Sequence, residues 1–268
     1  MADTGLSAVR IELDRAELGF VWQRSSLPTL PAALSALTVR DHGWPAATGP
    51  AGRLRSRGLL GPRGELNPEL RQVLGVLTSS PFELELRHTD GHCHGVRAAA
   101  TVRGGVVVIG MVSGDRVVLR RLPGTWAEDA TGAALVGLLP RTRPANGVAV
   151  SLPAAEVDRA MLASMERGQD VDEGLVEGLT ARGVAPVDAA MFAGLTSSKR
   201  LRSAMFGVTV RDRHGVRHRS NRTFTVLDTD RGRALTCTHG DYLMATPADD
   251  RTLTKALAEL RASELARG

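Results

Sequence analysis

Two blocks of short apolar segments, four to a block and separated by helical stretches, constrain this 268-residue chain more than any other feature. In the first block Phe82, Leu84 and Leu86 alternate with Glu83, Glu85 and Arg87, the period of a half-buried strand. A polar turn at 88–95 leads into residues 96–102, Gly104-Gly105 into 106–112, and Ser113-Gly114-Asp115 into 117–122. Turn residues between β-branched runs predict four consecutive antiparallel strands. The second block repeats the device at 205–210, 219–227, 234–239 and 242–246, with turns at 212–215, 228–232 and 239–241.

Helical spacing fills the intervals. Val9, Ile11 and Leu13 predict a short strand, and Asp14 followed by Glu17 is a capping-box start for the helix after it. Residues 27–37 carry two prolines, and 38–57, rich in Gly and Pro, read as a loop. Leu66, Leu70, Val73, Leu74 and Leu77 predict a helix with Pro68 in its first turn. Further helices are predicted over 126–139, 153–167, 172–182 and 186–195, and a last one from Pro247 with Leu253, Leu257, Leu260 and Leu265 on one side. The last helix reads most simply as a core-packing element, although one laid along a partner would show similar spacing.

The two blocks share punctuation. Leu-Thr-Ser-Ser closes the helix before each, at 77–80 and 195–198, and a Gly-Asp turn (Gly114-Asp115, Gly240-Asp241) precedes the last strand of each. This predicts an α+β chain with a pseudo-two-fold repeat, its halves at about 1–140 and 151–268 within one domain spanning 1–268.

Composition narrows the functional classes. The chain carries 34 basic residues against 29 acidic, a net charge of +5, and all of its basic residues except Lys199 and Lys255 are arginine. The excess is spread over both halves, and five Phe, three Trp and one Tyr leave little for base stacking, so no nucleic-acid partner is expected. The longest apolar run, 105–112, is far short of a membrane helix, so no membrane partner is expected either. Two cysteines and no secretory signal predict a cytoplasmic protein. Neither lysine follows a glycine, and no Gly-x-Gly, Gly-x-Ser-x-Gly, His-Glu-x-x-His or Cys-x-x-Cys occurs, so neither enzyme nor cofactor is expected.

Three stretches carry chemistry. His88, Asp90, His92, Cys93 and His94 crowd one turn, and three imidazoles with a thiol have the donors for zinc or nickel. Against a metal site, the ligands come from one segment, and neighbours on a strand point opposite ways. A solvated polar turn and a partner contact are the other readings. The stretch 211–222 holds five arginines and two histidines, with Arg217, Arg219 and, by its position, Arg213 on one face, and Arg222 beyond. It reads as a solvated hairpin guarded by charge, as a partner surface, or as a nucleic-acid patch. Asp228-Thr-Asp-Arg-Gly-Arg233 reads as a tight turn.

The order of these segments resembles a known family. The carriers are Leu27-Pro28 and Leu30-Pro31, the Leu-rich and Gly-rich run at 53–70, the Pro-Phe-Glu-Leu-Glu-Leu of 81–86, and the Asp-Thr-Asp-Arg-Gly-Arg hairpin of 228–233. Together they resemble the EspG family of ESX (type VII) secretion-associated chaperones. The resemblance implies a pseudo-symmetric antiparallel sheet flanked by two helical bundles, and a non-enzymatic, cofactor-free task. It implies a helical secretion substrate as partner, a PE–PPE heterodimer or a related WXG-type protein, whose apolar tip is covered and kept soluble. A homodimer in the absence of substrate is compatible with it. It also implies that the connection holding His88, Asp90, His92 and His94 reaches the partner. With Arg213, Arg217, Arg219 and Arg222 these are the candidate partner-binding residues.

Overall fold

A computed structural model describes residues 8–25, 27, 29–35, 49–90, 95–123, 128–167, 171–196 and 199–266. One ten-stranded antiparallel sheet runs through the molecule in the order β1-β5-β4-β3-β2-β7-β8-β9-β10-β6. Each block of four is a meander: β2 (Phe82–Thr89), β3 (Gly95–Arg103), β4 (Val106–Ser113) and β5 (Arg116–Arg121), then β7 (Arg200–Arg211), β8 (Arg217–Thr229), β9 (Gly232–His239) and β10 (Tyr242–Pro247). The blocks join where β2 pairs with β7, Phe82 opposite Val210 and Leu86 opposite Phe206. Read outward from that seam, the order is the same on either side, as an internal two-fold repeat would produce.

The outer strands come from ahead of each meander. β1 (Val9–Asp14) pairs with β5, as alternation at Val9, Ile11 and Leu13 predicts for a strand there. Its counterpart β6 (Val150–Pro153) pairs with β10 and was not expected. Two apolar residues, Val150 and Leu152, are too few to announce a strand by periodicity.

Helices cover both faces. On one face α5 (Glu128–Val136) and α9 (Asp250–Leu265) lie side by side over Phe82, Leu84, Leu86, Phe206, Phe224 and Val226. Asp249 caps α9 by accepting from the Thr252 N–H, and Leu253, Leu257 and Leu260 are its buried stripe. On the other face there are two bundles. The first holds α1 (Arg15–Arg24), α2 (Ala32–Ser35), α3 (Pro50–Ser56) and α4 (Pro68–Ser79), packed with Ala99, Val108, Val112 and Leu119 of the sheet. The capping box at the start of α1 is formed, Asp14 accepting from Glu17 N–H and Glu17 accepting from Asp14 N–H. α3 falls inside the stretch read as a loop, where Pro50 starts a helix whose Leu54 is fully buried. The second bundle holds α6 (Ala154–Glu166), α7 (Val171–Thr180) and α8 (Pro186–Thr196), packed with Ala234 and Ala245.

β2 departs from the half-buried strand expected. Glu83 and Glu85 are each 1% exposed, because β3 and β7 flank the strand and side chains from β7 and β8 lie over both carboxylates. The hairpin of Asp228 and Arg233 is likewise interior: Arg233 is fully buried.

Candidate partner-binding surface

The candidate residues that the structure describes do not form one surface. His88 belongs to β2 and shares the face of Leu84 and Leu86, under α5 and α9, so it is half-buried. Burial holds its imidazole below the usual range, against the opposing pull of Asp228 and Asp90. Asp90 follows at the end of the strand; His92, Cys93 and His94 lie outside the described residues. Among the described residues, no group of three or more His, Cys, Asp or Glu is placed to hold a metal ion.

The arginines divide three ways. Arg217 and Arg219 do share a face, but it is the face of Glu83 and Glu85. Arg217 donates Nη2 to Glu83 Oε2 (2.5 Å) and Nη1 to the Leu30 carbonyl (2.6 Å), and Arg219 Nε stands 3.3 Å from Glu85 Oε2. Thr209 Oγ1 donates to Glu85 Oε1 (2.9 Å), and Arg211 Nη2 is 3.9 Å from Glu83 Oε1. Much of the Arg-rich stretch therefore holds the β7–β8 hairpin onto the first half of the molecule. Arg213 is exposed in the turn, where Asp212 accepts from the His214 and Val216 N–H groups (2.8 and 2.9 Å). A hydrogen bond from His218 (2.8 Å) is the first of the contacts that hold Asp212 below the usual carboxylate range. Arg222 lies on the opposite face and donates to Ser263 Oγ of α9 (3.1 Å).

Burial pushes Glu83 up to about 7, in spite of Arg217 and Arg211 beside it. The consequence for stability has a definite sign. Between the unfolded value near 4.3 and the folded value, the native chain keeps a proton that the unfolded chain has released. Stability then falls as pH rises through that window, by roughly 3 kcal/mol in all. We expect the stability of Glu83→Gln relative to wild type to rise between pH 5 and pH 8 in urea titrations. A constant difference would show that Glu83 does not titrate there.

The largest apolar exposure on a helix lies on α6, which sequence reading did not single out. Met161, Leu162 and Met165 are 41, 60 and 71% exposed, while Val157, Ala160 and Ser164 face the bundle. This inverts the usual choice of large residues inside and small outside. The reason is the crossing with α7: a Cβ built on Gly178 would stand 3.1 Å from the Ala160 Cβ and 3.2 Å from its Cα. The two helices approach so closely that only small residues fit between them, which leaves the long side chains to the outer face. Unbranched methionine adapts its shape to a partner, and contiguous apolar exposure marks contact surfaces. The signal in the sequence was a helix apolar on both sides, Ala-Met-Leu-Ala-Ser-Met at 160–165. Gly178→Leu is expected to force α6 away and cost about 1–3 kcal/mol, measured by thermal or urea unfolding. An unchanged melting temperature would show that α6 is not held by this contact.

With the geometry described, the chain can be set beside known proteins. No curated protein matches it in sequence. Among solved structures it is similar to the Mycobacterium tuberculosis type VII secretion system chaperone EspG5, determined in complex with the PE25–PPE41 dimer. That match has 16% identity and a TM-score of 0.71, and it covers 94% of this chain and 95% of that one. The likeness extends over both meanders and both bundles, so it is one of whole fold. The EspG family model matches residues 14–259, from the cap of α1 to the last turns of α9, and the chain belongs to that family.

Proposed function

We propose that this protein is a cytoplasmic chaperone of a type VII secretion system. It binds a helical substrate of PE–PPE type, covers the apolar tip of that substrate, keeps it soluble and delivers it for export. The observation that carries this reading is the full-length likeness to a chaperone solved with a PE–PPE dimer bound. No helix among the described residues is long and apolar enough to cross a membrane, which accords with a protein that meets its substrate before export.

The contact surface in this reading has two parts. The outer face of α6 supplies Met161, Leu162 and Met165 for the apolar tip. The β2–β3 connection, with Asp90, His92 and His94, supplies polar contacts; Arg213, in the β7–β8 turn at the other end of β2, stands apart from them. Arg217 and Arg219 are occupied with Glu83 and Glu85 and contribute by holding the hairpin in place rather than by direct contact.

Co-expression with PE–PPE pairs from the same genome, followed by gel filtration, tests the reading. A one-to-one complex with at least one pair is expected, and Leu162→Asp with Met165→Asp should abolish it while leaving the unfolding transition unchanged. Failure to co-elute with every pair would exclude the function. A complex that survives the double substitution would move the contact surface off α6.

A further inference from the structure

The face covered by α9 is not covered to its edge. α9 packs over β7, β2 and β8, and beyond it Cys237 of β9 and Met244 of β10 are left partly exposed, although Leu235 nearer the core is buried. A cleft of about 360 Å³ remains there, with Phe224, Leu235, Cys237 and Met244 as its floor and Ala256 and Leu260 of α9 as its wall. That volume falls in the range of small-molecule sites, and the lining has their character, largely apolar with a few polar groups at the mouth.

The mouth arises from a divergence of two strands. β8 and β9 pair from the Thr229–Gly232 end only as far as Phe224 opposite Cys237, although β9 continues to His239. On its other side β8 breaks register with β7 between Gly207 and Thr209, which carries residues 220–222 out of the ladder. The gap opens into a polar hollow lined by Asn221, Arg222, Thr223, Thr238 and His239.

The charge at the mouth selects the ligand. Arg222 donates Nη1 to Ser263 Oγ (3.1 Å) and has no carboxylate within ion-pair distance among the described residues. Lys255 and Glu259, both on the wall, offset each other at 3.8 Å. The mouth therefore presents one guanidinium fork whose charge is not balanced locally, at the end of an apolar trough. We propose that this cleft binds an amphipathic monocarboxylate, its alkyl chain along Phe224, Leu235, Met244 and Leu260 and its carboxylate on the Arg222 guanidinium. A guanidinium accepts a carboxylate through two parallel hydrogen bonds, which a neutral alcohol cannot reproduce. The site lies on the face of the sheet opposite the α6 bundle and does not depend on the chaperone reading.

Cys237 on the floor supplies the readout. With Cys93→Ser it becomes the only thiol of the chain. Burial pushes its pKa up, so alkylation by iodoacetamide is followed at alkaline pH. Decanoate is expected to slow alkylation saturably, with one-site binding by calorimetry and an affinity about tenfold or more above that of decanol, the value of a charge-assisted hydrogen bond. Arg222→Gln should remove that difference while leaving decanol binding unchanged, and Ala256→Trp, which fills the cleft, should abolish both. Equal binding of decanoate and decanol by the wild-type chain would overturn the proposal without recourse to any variant. So would protection that does not saturate below micelle-forming concentrations, or decanoate affinity unaltered in a folded Arg222→Gln protein.

Discussion

Arg233→Ala is expected to destabilise the protein by about 3–5 kcal/mol, the range for removing one partner of a buried ion pair. Arg233 is fully buried, and each of its three side-chain nitrogens has an acceptor. Nε and Nη2 grip the two oxygens of Asp228 at 2.7 and 3.0 Å. Nη1 reaches Asp250 at the start of α9 (3.2 Å), and Nη2 also reaches the Pro140 carbonyl (2.6 Å). Its backbone takes part too, donating to the Arg143 carbonyl (2.8 Å) and accepting from the Ala145 and Ala248 N–H groups (2.9 and 3.0 Å). One residue thus ties β9, the start of α9 and the segment that connects the two halves. Alanine would leave Asp228, 4% exposed, as a buried charge without its counter-ion. Arg233→Met removes the charge but fills the volume, and pairing it with Asp228→Leu should recover part of the loss, since a packed apolar pair often replaces a buried ion pair well. Urea unfolding decides this: a loss under 1 kcal/mol for Arg233→Ala would mean that the network is not closed in solution.

Phe206→Ala is expected to cost a similar amount, about 3–5 kcal/mol, for a different reason. Phe206 sits on β7 opposite Leu86 of β2, so it lies on the seam between the meanders, and it stacks on Phe224 with ring centroids 4.9 Å apart. Its loss leaves a cavity where β2, β7, β8 and the pair α5 and α9 meet, and this close-packed centre has little freedom to collapse. The shape of the transition is as informative as its midpoint. Because the seam is part of one continuous core, the variant should still unfold in a single step by both far-UV circular dichroism and intrinsic fluorescence. Two separated transitions would show that each half is stable alone.

Much of the fold is legible in the residues, because strand alternation and turn chemistry are local. The eight meander strands, the Asp14–Glu17 box and the leucine stripe of α9 all depend on neighbours within a few positions. What escaped is set by distant ones. Nothing near Glu83 or Glu85 announces burial; their covering arginines, Arg217 and Arg219, arrive from the other half of the chain. For the same reason the Arg-rich stretch read as a surface feature, whereas Arg217 is mostly buried and Arg219, though exposed, stands against Glu85. The α6 patch was hidden by a related effect. The closeness of Gly178 to Ala160 decides which face of the helix turns outward, and that contact is between helices. β6 depends wholly on β10 to supply its partner, since four residues carry no period of their own.

The strand order has a consequence for the chain as it is being made. β1 leaves the ribosome well before its partner β5, which ends at Arg121, and at roughly 5–20 residues per second the wait lasts many seconds. When the first meander closes, β2 is still an edge, because β7 begins only at Arg200. An edge strand invites pairing with other nascent chains, and charged side chains along it are a known deterrent. Glu83, Glu85 and Arg87 occupy alternate positions of that waiting edge. In the finished protein two of them are among the most buried ionisable groups present; along the open edge of a half-made sheet the same side chains are the kind that deters pairing with a neighbour.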